Sequence, residues 1–106
     1  MRLGSIVLVP FPYSDLTAQK RRPALIISND QLSGDDFICL AVTSVSGPQS
    51  VKITSDDLLI GSLPLISFVK VGKVVSLHKS LLNEINVQIS EASLKLILKK
   101  FKQFLG

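Results

Sequence analysis

One stretch of this chain repeats its apolar residues with helical spacing, and everything before it comes in short apolar runs bounded by turn residues. From Glu91 onward, Leu94, Ile97, Leu98, Phe101 and Leu105 recur at intervals of three and four, which lines them up on one helix face. Ser90 stands where an N-cap belongs and Glu91 falls in the first turn. Upstream, residues 6–9, 23–28 and 37–43 are nearly unbroken apolar runs of strand length. No helical pattern alternates with them, so no crossover is available to join parallel strands. The expected fold is therefore mainly β with a C-terminal α-helix, a small antiparallel barrel or sandwich.

The connections follow from the punctuation. Pro10 and Pro12 end the first strand by withholding amide donors. Residues 13–22 are polar and read as an exposed basic loop, with the second strand starting at Pro23. Gly47-Pro48 marks a turn, residues 50–53 suit a short strand, and Ser55-Asp56-Asp57 resembles the cap of a brief helical turn over Leu58 and Leu59. Residues 67–71 and 73–77 are either two strands or one long strand bent at Gly72. A last short strand is expected near residues 86–89. At 106 residues the chain suits a single domain spanning residues 1–106, with apolar material for its own core.

Several chemistries are poorly served by these residues. His78 and Cys39 are the only residues of their kinds, too few for a zinc site, and neither a metal nor another cofactor is expected. Cys39 lies inside an apolar run and reads as a buried small hydrophobe. His78 has no nucleophile elbow beside it and reads as a strand-end residue. The adjacent pairs Asp35-Asp36 and Asp56-Asp57 sit in turn-like contexts, where capping explains them better than two-metal chemistry. The early apolar stretch is too brief for a secretory signal and no run is long enough for a membrane span, so a cytoplasmic protein without membrane contact is expected.

The net charge of +4 is concentrated late, in Lys95, Lys99, Lys100 and Lys102, where lysines also offset the helix dipole. Elsewhere Lys20-Arg21-Arg22 is the one basic cluster. An arginine fork there can hold phosphate oxygens while lysine acts as a point charge, although a charged hairpin loop is the commoner explanation of such a cluster.

The run from Gly4 through Pro10-Phe11-Pro12-Tyr13 to Leu16, followed by Lys20-Arg21-Arg22-Pro23 leading to Ser28, closely resembles the opening of MazF/PemK-like toxins. The resemblance continues through Ala41-Val42-Thr43-Ser44, Gly61-Ser62-Leu63-Pro64, Ser67-Phe68-Val69-Lys70, and residues 75–81. It implies an SH3-like barrel and the toxin of a type II toxin–antitoxin system, a metal-independent endoribonuclease. Such an enzyme would cut single-stranded RNA at short sequences, leaving a 2′,3′-cyclic phosphate and a 5′-OH. The resemblance also implies a homodimer, a cognate antitoxin, and contact with operator DNA only through that antitoxin. Residue by residue, Arg22 and Thr43 fall on the catalytic positions, and Tyr13, Lys20, Arg21, Ser44 and Lys70 on RNA-binding ones. Two departures leave the general base unassigned. Residues 13–21 hold no histidine, and Gly72 stands where some members are acidic. Two other readings share the architecture: a non-catalytic nucleic-acid-binding module, and a toxin that poisons DNA gyrase. The latter depends on an aromatic-bearing C-terminus, whereas this chain ends Phe104-Leu105-Gly106 and has no tryptophan.

Overall fold

The computed structural model describes residues 1–10, 21–32 and 34–106. Among them the chain order is β1 (Ser5–Pro10), β2 (Arg21–Ile26), β3 (Asp36–Thr43), β4 (Ser50–Ile53), β5 (Leu58–Ile60), β6 (Ser67–His78), β7 (Asn83–Ile89) and α1 (Glu91–Leu105). Short 3₁₀ turns lie at Ser55–Asp57 and Lys79–Leu81. The strands form one antiparallel sheet in the order β4-β6-β3-β2-β1-β7-β5.

Side chains alternate across this sheet, and burial assigns each face a core. Ile6, Leu25, Leu40, Val42, Val69 and Val71 share one cluster with Val87, Ile89 and the helix residue Ile97. Val7, Val9, Ala24, Ile26, Phe37 and Cys39 form a second cluster on the opposite face. The first also takes in Ile53 from edge strand β4, with Leu58 from edge strand β5 packed against it. A flat sheet seven strands wide would hold its edges about 29 Å apart. Sharing one core therefore requires the sheet to curl, which makes the expected barrel an open one.

The curl has a local device in β6. Leu40 pairs with Val74 while Ala41 pairs with Lys70, so Val71, Gly72 and Lys73 bulge out of the β3 ladder. Before the bulge Val69 and Val71 face the helix-covered core, and after it Val75 and Leu77 pack against the other cluster. Both readings offered for residues 67–77 thus resolve into one long strand whose facing reverses at Gly72. A Cβ on Gly72 would lie 3.2 Å from Phe104 of α1, so the glycine lets the helix approach closely.

Three boundaries differ from expectation. β2 begins at Arg21, two residues before Pro23, because Arg21 and Arg22 pair with Pro10 and Val9. Its ladder with β3 starts only at Ala24, directly after the residue that has no amide to donate. The helical turn at Ser55–Asp57 exists, but Leu58 and Leu59 are extended, since Leu58 pairs with Ile89. β7 starts at Asn83 rather than near Asn86, because Asn83 and Glu84 pair with Leu8 and Val7. An exposed polar strand end carries no apolar signal to read.

The helix is fastened by Asp57. Its carboxylate accepts from the Thr54 amide at 2.8 Å and the Ser93 hydroxyl at 2.7 Å, and its carbonyl accepts from the Ser90 amide at 2.7 Å. Ser90 is the N-cap, its hydroxyl accepting from the Ser93 amide. The Thr54 amide and then the Ser93 hydroxyl hold the Asp57 carboxyl below the usual carboxylate range. Asp57→Asn should lower stability by about 1–3 kcal/mol near pH 7 in chemical denaturation. Because the folded pKa is depressed, the gap between wild type and variant should be full above about pH 4 and close as pH falls through the folded value.

Candidate functional site

The register aligns the side chains that matter across four strands. Lys52 pairs with Phe68, and Phe68 with Thr43. Ala24 pairs with Ala41, so continuing that antiparallel register by two residues brings Arg22 opposite Thr43, and Arg22 itself pairs with Val9. Directly opposed residues point to the same side of a sheet. Lys52, Phe68 and Thr43 therefore form one row on the face away from α1, and the pair Arg22 and Val9 turns to the same face beyond the end of the β2–β3 ladder. The next row on that face runs Ser50, Lys70, Ala41, Ala24, Val7.

Each member has a reason to be there. Thr43 closes β3, and its hydroxyl accepts from the Val45 amide at 3.2 Å. That bond orients the oxygen and leaves the hydroxyl proton to donate. Arg22 is exposed in β2. Lys70 is half-buried, and Gly47 makes room for it, since a Cβ there would sit 2.9 Å from Nζ. The Ser50 hydroxyl donates to the Gly47 carbonyl at 2.6 Å and holds that turn beside the ammonium. Three cations and an oriented hydroxyl thus share adjoining rows, an arrangement suited to stabilising charge on phosphoryl oxygens. Neither row carries a carboxylate or an imidazole.

The remaining sequence candidates fall in different places. Arg21, read as a loop residue, is in β2 and points the opposite way from Arg22, donating from Nη1 to the Leu81 carbonyl at 2.6 Å. Ser44 is exposed just beyond β3. Tyr13 and Lys20 lie outside the described residues. Phe68 and Lys52 were not singled out in the sequence. The alternation Phe68-Val69-Lys70 places Phe68 on the face of Lys70, a signal that becomes useful only once the neighbouring strands are known.

Groups set aside on sequence grounds have structural duties. Asp35 pairs with Lys79 at 3.0 Å, and the hydrogen bond and charge of that lysine hold its carboxyl below the usual range. His78 ends β6, with Nδ1 2.8 Å from the Ser80 hydroxyl, and caps the turn at Lys79–Leu81. Among the described residues no helix is long and apolar enough to cross a membrane. Cys39 is fully buried and desolvation pushes its thiol up to about 11. The native protein should resist an aromatic disulfide reagent at pH 8 and react as one thiol per chain once unfolded in guanidinium, as followed by absorbance.

The model of a family described as PemK-like, MazF-like toxin of type II toxin-antitoxin system matches residues 2–105. No curated protein sequence matches the chain. Among solved structures, MazF from Deinococcus radiodurans is similar at 22% identity and TM-score 0.75, over 100% of this chain and 96% of that one. An endoribonuclease in complex with its cognate antitoxin, from Mycobacterial species, is similar at 20% identity and TM-score 0.74, over 100% and 93%. A MazE-MazF complex from Deinococcus radiodurans is similar at 20% identity and TM-score 0.73, over 100% and 95%.

Proposed function

This chain belongs to the PemK-like, MazF-like toxins of type II toxin-antitoxin systems, and from that premise we propose that it is a metal-independent endoribonuclease cutting single-stranded RNA. The reading is supported above all by one observation, that Arg22 and Thr43 stand two residues beyond the paired Ala24 and Ala41 and so turn to a shared face. In such a reaction the RNA 2′-OH attacks its own phosphorus and the 5′-oxygen of the next nucleotide leaves. The products are a 2′,3′-cyclic phosphate and a 5′-OH.

The nucleophile arrives with the substrate, so the protein's work is alignment and charge stabilisation. Arg22 donates its guanidinium hydrogens to the phosphoryl oxygens as charge builds on them. Thr43, its oxygen held by the Val45 amide, donates to the phosphate or positions the 2′-OH. Lys70 adds a cation one row away, Ser44, Tyr13 and Lys20 contact the flanking RNA, and Arg21, turned to the other side of β2, draws the strand in by its charge. No side chain is assigned as general base.

The partners follow from the family. A cognate antitoxin supplies an acidic, partly disordered tail that folds over the basic face and blocks RNA, and operator DNA is reached only through that antitoxin. The toxin acts on mRNA in the cytoplasm to halt growth. Two copies pair to present both Arg22 sites to one strand. Sedimentation at micromolar concentration should show a dimer, and a monomer alone would oppose this pairing.

The activity is tested by incubating the purified protein with long unstructured RNA in EDTA and mapping the ends. Arg22→Ala should slow single-turnover cleavage by about 10²-fold or more while RNA affinity falls less. Thr43→Val should behave alike, whereas Arg21→Ala should mainly weaken binding in a salt-dependent way. Full activity in Arg22→Ala would sink the mechanism.

A further inference from the structure

Phe68 is a large aromatic side chain that the folding core does not use. It is partly exposed, and neither core cluster includes it. It stands directly opposite Thr43 on one side and Lys52 on the other, all facing away from α1. Opposed side chains in an antiparallel pair lie about 5 Å apart at Cβ, so the ring is one strand from Thr43 and two from Arg22. A phosphate held between those two residues would bring its adjoining base over the ring. Every base has a π-face, so such a platform tolerates any sequence. It can engage only a base that no helix has stacked away. Exposed Lys52, one strand further on, offers a cation at the spacing of the next stretch of backbone.

Resting on the endoribonuclease reading above, we propose that Phe68 is the stacking platform for a base adjoining the scissile phosphate. Lys52 is then the contact for the backbone beyond it. Single-stranded RNA accordingly crosses the sheet perpendicular to its strands, from β2 over β3 and β6 to β4. The path from Arg22 to Lys52 is three strand spacings, about 14 Å.

The chain contains no tryptophan, so Phe68→Trp introduces the sole indole. The probe is a mixed-sequence single-stranded RNA carrying 2′-O-methyl groups, which cannot be cut by its own 2′-oxygen. Its addition should quench the indole fluorescence of Phe68→Trp, while that of Phe104→Trp, on the helix across the sheet, should stay unquenched. Phe68→Leu, which keeps an apolar side chain of similar bulk, should weaken affinity for the same probe about tenfold with an unchanged salt slope. Lys52→Ala should instead flatten the slope of log affinity against log salt by about 0.7. An unquenched indole in Phe68→Trp together with wild-type affinity in Phe68→Leu would overturn the platform, and if ordinary RNA were still cut the endoribonuclease reading would survive. Quenching and weakened Phe68→Leu binding with ordinary RNA left whole would uphold the platform and overturn cleavage.

Discussion

Strand β3 is the element on which the rest depends, because it is paired along both sides and its alternation sorts the sheet into two faces. Leu40 and Val42 are buried toward the helix, and Phe37 and Cys39 toward the other cluster. Sliding β3 by one residue would drive Thr43 into the helix-covered core and put Val42 outside, losing the burial of several large side chains at once. Burial therefore pins the register, and the register sets Thr43 opposite Phe68 and on the same face as Arg22. The geometry of the candidate site is a consequence of how the core on the same strand is patterned.

The bulge in β6 and the clasp on α1 solve one problem together. An antiparallel sheet of this width has two cores to fill and two edges to bring round. Residues 71–73 reverse the facing of β6, so a single strand contributes valines to both clusters. Asp57 then ties the start of α1 to the segment leading into β5, while the end of the helix lies against Gly72. Gly72 there makes room for Phe104.

What remains is a site made of cations, a hydroxyl and an aromatic ring. Among the described residues that set cannot generate its own nucleophile by the usual route, since it holds no imidazole or carboxylate to take a proton. It suits a substrate that brings the nucleophile along, and the burden then falls on alignment and on preorganised positive charge. Arg22 and Arg21, adjacent in sequence, divide along the same line. One faces the row of Thr43, while the other is engaged by the Leu81 carbonyl across the strand.

The sequence by itself determined whatever a single run of residues can express. The spacing of Leu94, Ile97 and Phe101 specifies the amphipathic helix and Ser90 its cap, and the apolar runs specify the cores of β1, β2 and β3 in their order. The motif around Arg22 and Thr43 pointed to those residues by likeness to a family. Tertiary structure decided where neighbours rather than composition settle the matter. Arg21 and Arg22, polar enough to be read as loop, are extended because β1 pairs with them, and Leu58 is extended because Ile89 claims it. Polar Asn83 and Glu84 are strand because β1 lies alongside. The adjacency of Lys52, Phe68, Thr43 and Arg22, drawn from four separate strands, had no local trace at all. Periodicity belongs to one segment, whereas cross-strand adjacency depends on register, and register is fixed by the burial of residues far away in the chain.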